Sequence, residues 1–365
     1  MAGSARQPRG VVLVNDARVN GWISFEVNNN IFYEADTFRV TFALSALPDA
    51  YGDAFWASQQ EVFIEVLAGF PQDAESYSRK ELQTLTYGRV DEVAFDPVAR
   101  TLTVTGRDLT AALIDAKTTE TFQNLKASQI ATQIAARHGL TPVVTATKTT
   151  IGSYYQTDTV HSIQQRSEWD LLAALAGQEQ MLVYVKRKEL HFEYPPAATA
   201  PPYLLTWEKP SDQNGAFAFN GKTIQFTRAL TLARGVVVTV QSKNQRGQVI
   251  KVTYPAKKAA TIKPGASAPI AQQYTYTFAD LTTEAALQKA QQLHNEISKH
   301  EVKLNATLPA DNVLSVAGLI QVAGTGTAFD QSYYPESITR EMDITMGYTM
   351  TVRAKNHSPQ SVVPL

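Results

Sequence analysis

Two stretches of this 365-residue sequence, 248 positions apart, read as one piece of structure written twice. Gly88–Asp108 is GRVDEVAFDPVARTLTVTGRD and Glu336–Asn356 is ESITREMDITMGYTMTVRAKN. Aligned without a gap, Val90 falls on Ile338, Thr101 on Thr349, Leu102 on Met350, Thr103 on Thr351 and Val104 on Val352, with Arg107 on Lys355 and Asp108 on Asn356. Three of these pairs are identities; the rest share the alternation of an amphipathic strand, whose period is two. Each copy reads as strand, short turn and strand, ending in a basic and a polar residue. A chain that builds one β unit twice makes a scaffold with approximate internal symmetry, which points to assembly before catalysis.

The chain exceeds the roughly 250–300 residues at which single cores stop growing, so two or three domains are expected. With 44% hydrophobic and 18% charged residues it has ample core material for them. The net charge of −1 provides no overall positive field for nucleic acid or an anionic membrane. Lys186-Arg187-Lys188 and Lys257-Lys258 read as solvated faces. There is no cysteine, which excludes disulfide frameworks, thiolate zinc sites and cysteine nucleophiles together. The apolar run near the N-terminus is only Val11–Val14, short of the roughly 7–15 residues of a secretion signal, so a soluble chain without an export signal or membrane anchor is expected.

The alternation predicts strands at Val11–Val14, Trp22–Val27, Phe38–Leu44 and Val62–Leu67, a turn at Asn28-Asn29-Asn30, and a polar loop at Gln72–Arg79. From Leu109 the period changes. Helices are predicted at Leu109–Ala116, at Gln129–His138 with Ser128 as cap and Gly139 beyond the end, and from Ser167 to Gly177, opened by an S-x-x-D capping pattern. Strands Met181–Lys186 and Glu189–Tyr194 follow, and the proline-rich run Pro195–Pro202 is a boundary. Further strands are predicted at Lys222–Phe226, Gly235–Ser242, Val249–Tyr254, Val302–Leu308 and Leu319–Val322, with Lys257–Ala271 as a loop and Thr283–Lys299 as the clearest helix. The expected fold is mainly β with an α+β insertion. Residues 1–108 form a first β-barrel domain completed by a returning segment near 216–230, residues 109–215 an inserted α+β domain, and residues 231–365 a second β-barrel domain.

No constellation predicts catalysis, a cofactor or a metal. Asn220-Gly221-Lys222-Thr223 ends like a phosphate-binding loop, but five residues separate Gly215 from Gly221 where the pattern needs four, and a strand follows where a helix should begin. Gly324-Thr325-Gly326 follows a short strand with no helix after it and reads as a turn. His294 and His300 are expected on different faces at the surface. Asp91-Glu92 and Glu341/Asp343 read as strand-surface carboxylates, although glycosidase pairs meet only in space. Tyr154-Tyr155 and Tyr333-Tyr334 are expected in strand and interface packing; as exposed aromatics they would instead suit a glycan platform.

TLTVTGRDLTAALIDA (Thr101–Ala116), SQIATQIAARHGL (Ser128–Leu140), QQRSEWDLLAALA (Gln164–Ala176) followed by LVYVKRKELHFEY, and the C-terminal YYPESITREMD and GYTMTVRAKN, in this order and spacing, resemble the baseplate hub proteins of contractile-tailed bacteriophages. These are the late-control D family with its Mu-like members, related to the hubs of type VI secretion spikes. The resemblance spans roughly residues 101–356 and is weaker over the first eighty residues. It implies two tail-tube-like β-barrel domains per chain and a homotrimeric, pseudo-sixfold ring joining the hexameric tail tube to the trimeric central spike. The lumen would pass DNA and hold the tape-measure protein. It further implies contacts with the spike, the tail tube or a tube initiator, and other baseplate proteins, a place in the virion after assembly in the host cytoplasm, and no enzymatic activity. The readings set against it are a tail-tip cell-wall hydrolase and a peripheral receptor- or glycan-binding tail protein.

Overall fold

The computed structural model describes residues 7–30, 34–118, 122, 125–147, 150–151, 166–179, 181–194, 201–209, 218–233, 235–243, 249–255, 272–279, 281–298 and 301–356. The chain is mainly β with an α+β insertion, and it divides into two units. The first comprises residues 1–201, 307–318 and 336–352; the second comprises residues 202–306, 319–335 and 353–365.

The first unit opens with strands β1 (Arg9–Val14), β2 (Ala17–Val19), β3 (Trp22–Asn30) and β4 (Thr37–Ala43). Helix α1 (Asp53–Ser58), β5 (Phe63–Gly69), β6 (Gln83–Asp96) and β7 (Thr101–Asp108) follow. Alternate residues of β4 and β7 are buried, among them Phe38, Val40 and Phe42, and Leu102 and Val104. Every ladder is antiparallel, in the order β3-β4-β7-β6-β5-β1-β2. The described ladders do not close this sheet into a barrel, but the sheet rolls. A Cβ added to Gly10 of β1 would lie 2.7 Å from the Phe25 ring of β3 and 2.9 Å from the Met342 sulfur, so a larger residue there would have to displace these side chains.

The three asparagines expected to turn instead extend β3. Asn28, Asn29 and Asn30 pair with Thr339, Ile338 and Ser337, and the Asn29 amide donates to Asp36 (2.7 Å) and to the Leu85 carbonyl (3.1 Å). Among the described residues only the Asn29 side chain reaches a remote acceptor; Asn28 donates to the Asn30 side chain (3.1 Å) and Asn30 to the Ala35 carbonyl (3.0 Å).

After Asp108 the period does become helical. The insertion runs α2 (Thr110–Asp115), β8 (Lys117–Thr118), β9 (Leu125–Lys126), α3 (Ala127–Arg137), β10 (Thr141–Val144), β11 (Thr150–Ile151), β12 (Arg166–Ser167), α4 (Glu168–Glu179), β13 (Leu182–Lys186) and β14 (Glu189–Glu193). Ile130, Ile134, Leu172 and Leu175 of the helices share one core with Leu190 and Phe192 of the β10-β14-β13 sheet. Gly139 takes the predicted left-handed conformation (φ +67°). Ser167 and Asp170 close the predicted box, each side chain accepting the other's backbone N–H (3.0 and 3.2 Å). Ser128, however, lies inside α3 and bonds Thr147; the Gln129 side chain caps Lys126 instead (2.8 Å). Helix α4 also continues through Gly177, around which nothing lies close enough to meet an added Cβ.

The second unit contains β15 (Tyr203–Glu208), β16 (Ala218–Phe219), β17 (Thr223–Arg228), α5 (Leu230–Ala233), β18 (Val236–Lys243), β19 (Val249–Tyr254), β20 (Gln272–Ala279) and α6 (Thr283–Ser298). Strands β19-β18-β20 form a separate sheet with Val236, Val238 and Val240 buried against Ala286 and Ala290 of α6. The chain ends in β21 (Val302–Pro309), β22 (Ile320–Ala323), β23 (Ser332–Asp343) and β24 (Gly347–Lys355); β21, β23 and β24 each run from one unit's residues into the other's. The whole of the predicted 257–271 loop, with Lys257-Lys258, and the Pro195–Ala200 part of the proline-rich run lie outside the described residues.

Candidate functional site

The duplication extends well beyond the two hairpins. Strands β3-β4-β7-β6-β5 are neighbours in that order, and so are β17-β21-β24-β23-β22, with the five members occurring in matching chain order. In the second copy the β18–β20 sheet and α6 are inserted between the first and second members. The flanking strands differ in sense: β1 is antiparallel to β5, whereas β15 is parallel to β22.

The turns fix how the copies correspond. The Asp96 carboxylate accepts the backbone N–H of Val98 (2.9 Å) and Ala99 (2.8 Å), and Arg100 has φ +55°. The Asp343 carboxylate accepts the N–H of Thr345 (2.7 Å) and Met346 (3.2 Å), and Gly347 has φ +79°. Both are Asx-type turns, a device available to Asp because its side chain reaches backbone two and three residues on, although the first spans four residues (97–100) and the second three (344–346). The gap-free alignment set Asp96 against Ile344; the caps set it against Asp343 on the first strand of each hairpin, while on the second strand the gap-free match keeps the burial pattern, buried Leu102 and Val104 answering buried Met350 and Val352. Counting back from the turns, Phe95 corresponds to Met342, Ala94 to Glu341 and Val93 to Arg340.

The two equivalent strands meet different surroundings. Residues Ser337–Asp343 of β23 pair antiparallel with Asn30–Ser24 of β3. There Met342 is 5% exposed opposite Phe25, and Arg340 is buried, donating to the carbonyls of Asp311 (3.0 Å) and Leu314 and to Asn29 Oδ1 (3.2 Å). In the first copy β5 covers β6 only as far as Arg89 in ladder register, with one further bond from the Val90 N–H to the Val62 carbonyl. From Asp91 to Asp96 every residue of β6 is exposed, and no strand among the described residues pairs with that edge. Phe95 is 45% and Val93 37% exposed, on a face whose β7 partners, Leu102 and Val104, are buried. Among the described residues β17 likewise pairs with β21 alone. Nothing in the alternation of either strand distinguishes a covered edge from a bare one, so the sequence did not reveal it.

The residues weighed for chemistry go to structural duties. The Asn220 side chain ties the end of β16 to β15, donating to the Leu204 carbonyl (2.8 Å) and accepting from the Thr206 N–H (3.0 Å), and β17 follows as expected. Gly324 and Gly326 have φ +99° and +66° in a turn around Asp330. Burial works to raise the Asp330 carboxyl, yet hydrogen bonds from Thr325, Gly326 and Gly324 hold it below the ordinary range. Asp91 pairs with Arg107 (2.7 Å), while Glu341 lies opposite Glu26 in the β23–β3 ladder. His294 is half-buried, edge-on to Tyr254 (5.2 Å), and not on the open surface. Tyr333 is fully buried, donating to the Phe329 carbonyl (3.0 Å), and Tyr334 is half-buried, so this pair forms no glycan platform. His300, Gly215 and Tyr154-Tyr155 lie outside the described residues. Among the described residues no group of three or more His, Asp or Glu could hold a metal ion.

Sequence reasoning missed one carboxylate pair. Asp108 is buried, and its backbone N–H donates to the Asp36 carbonyl (2.9 Å). Burial pushes the Asp36 carboxyl up to about 6 against the hydrogen bonds of Asn30 and Asn29, and burial together with the Asp36 charge raises Asp108 well above the ordinary range. Asp108 also lines a cleft of about 550 Å³ with Tyr87, Arg89, His138 and Lys188. Its oxygens accept the Thr110 N–H (3.2 Å) and hydroxyl (2.9 Å) at the start of α2, and those of Asp36 accept from Asn29 and Asn30. Both carboxylates thus fasten the ends of elements, Asp36 the end of β3 and Asp108 the start of α2.

Comparison with solved structures places this fold among tail proteins. The tail protein from Neisseria meningitidis MC58 superposes with a TM-score of 0.69 at 14% identity, over 97% of this chain and 99% of that one. The 43 kDa tail protein of prophage MuSo2 from Shewanella oneidensis gives 0.64 at 16% identity, over 96% and 98%. The E. coli c3393 protein, a component of the type VI secretion system with structural similarity to the T4 bacteriophage tail proteins gp27 and gp5, gives 0.51 at 9% identity, over 96% and 77%. The fold is theirs. Residues 64–209 match the family model of the Alg8 N-terminal domain, a span that begins inside β5, ends just after β15 and covers less than half of the chain. No curated protein matches the sequence.

Proposed function

We propose that this chain is a structural hub of a contractile phage tail or a related device. In this reading three copies form a ring with approximate sixfold character. The observation that carries the proposal is the matched order of five strands in two copies, because a homotrimer can present six similar strand arrays only if each chain carries the unit twice. The fold shared with tail proteins, and with a secretion component likened to gp27 and gp5, supports it. Each copy is the frame of one tube-like domain, and the insertion after Asp108 lies at the periphery, where it meets other baseplate proteins. The partners are the trimeric central spike below, the hexameric tail tube or its initiator above, and the tape-measure protein in a lumen through which DNA passes. The protein is assembled in the host cytoplasm and resides in the tail baseplate of the virion.

The function is mechanical, matching one symmetry to another, and it assigns no chemistry to Asp36 or Asp108. Immunogold labelling of intact tails tests it: a hub gives a few central particles at the tube–spike junction. Label at fibre tips would replace this reading with a receptor-binding one, and muralytic activity lost in an Asp108→Asn variant would replace it with a hydrolase.

A further inference from the structure

Two strand edges of the duplicated unit are left without a neighbour, and the covered pair shows how they would be used. Within one chain the first strand of copy one, β3, pairs antiparallel along the fourth strand of copy two, β23. That leaves one first strand, β17, and one fourth strand, the Asp91–Asp96 end of β6, each with an open edge among the described residues. We propose that β6 of one chain pairs antiparallel with β17 of the next, Asp91–Asp96 beside Thr223–Arg228, repeating between chains the contact that β23 and β3 make within one.

The side chains fit that contact. On β3, Phe25 and Val27 are fully buried on either side of exposed Glu26. On β17, Ile224 and Phe226 are half-buried on either side of exposed Gln225, and Phe226 stacks on Phe329 (4.8 Å). Placed like β3, β17 would bring Ile224 and Phe226 beside Val93 and Phe95, covering the two apolar residues that the single chain leaves exposed. A bare edge with apolar side chains is a template for another chain, and strand addition satisfies its backbone donors and acceptors. Because the two edges differ, the contact is heterologous, and it yields a closed ring if its rotation closes and an open filament if it does not. The inference rests on the ring reading for closure at three chains, but the pairing itself does not depend on that number.

The absence of cysteine makes a cross-linking test free of background. Ala94→Cys is combined with Gln225→Cys in the full chain, and with Thr223→Cys or Thr227→Cys to cover a register slip. Mild oxidation is followed by denaturing electrophoresis, with native mass read in parallel by light scattering. All four positions are exposed, so unchanged melting temperatures confirm folding. The expected result is a ladder of two and three linked chains from a double variant, a two-chain band when single variants are mixed, and none from either single variant alone. Linked chains that grow beyond three would keep the pairing and overturn the trimeric ring. An oligomer that none of the pairs links would overturn the pairing and leave the ring reading standing. A monomer that none of them links would overturn the pairing as well.

Discussion

Strands β6 and β23 each run into an aspartate-capped turn, yet β23 is buried along alternate residues to its end while β6 is bare from Asp91 onward. The difference lies in the neighbour: β3 covers β23, and among the described residues nothing covers the end of β6. Burial is therefore a property of the ladder a strand joins as much as of its own alternation. The covered copy could also recruit a buried guanidinium, because Arg340 finds the carbonyls of Asp311 and Leu314 there, whereas Val93 in its place has nothing to bond.

The comparison can be broken most severely at Arg340. Replacing it with Ala leaves buried carbonyls without donors, which costs about 1–3 kcal/mol for each group; a loss of about 4 kcal/mol in urea unfolding is expected. Val93→Ala, at the equivalent place, should change the stability of the single chain by less than about 0.5 kcal/mol.

Asp36, which feels the Arg340 charge, offers a pH test. Its carboxyl is raised from 3.8 to about 6, so the native state holds the proton more tightly than the unfolded chain does. Its contribution is therefore full below pH 3.8 and is lost as pH rises through about 6, a loss of up to about 3 kcal/mol at 1.36 kcal/mol per unit. Asp108 shifts in the same direction. Asp36→Asn should melt higher than the parent at pH 8 and show little difference at pH 4; a parent that gained stability over this window relative to the variant would refute the assignment.

At the next level, Met342→Ala removes a buried side chain and should cost about 2 kcal/mol, whereas Phe95→Ala should cost about 0.5 kcal/mol or less in the isolated chain. Equal losses would mean that β6 is already covered. The smallest effect tests the equivalence of the copies: Asp96→Ala and Asp343→Ala each remove one turn cap and should lower the melting temperature slightly and by similar amounts. A large inequality would show that the turns do not correspond.

How far this was legible follows from which interactions are local. The insertion, the Ser167–Asp170 box and the Gly139 stop were readable because a helix advertises its period and caps within a few residues. The duplication was readable in outline, and the gap-free alignment keeps the burial pattern of the second strands, but without a gap it cannot follow two turns of different length and sets the capped first strands one residue out. Asn28–Asn30 misled because the strand they extend is remote in sequence, pairing with Ser337–Thr339, with Thr339 Oγ1 donating to Asn28 and the Arg340 guanidinium to Asn29. Strand β20 was missed, although Tyr274, Tyr276 and Phe278 alternate in it, because its start adjoins an Ala- and Pro-rich stretch. The bare edge of β6 was beyond reach, since a strand's sequence does not specify how many neighbours it has.

The most direct measurement is the native mass of the purified chain and of its Phe95→Lys variant by light scattering. A charge on the open edge should block strand addition without unfolding a residue that is already exposed. The account predicts about 120 kDa for the parent, three chains of 40.1 kDa, and 40.1 kDa for a variant whose melting temperature is unchanged. A parent that remains at 40.1 kDa at every concentration, or a variant that stays trimeric, would contradict it.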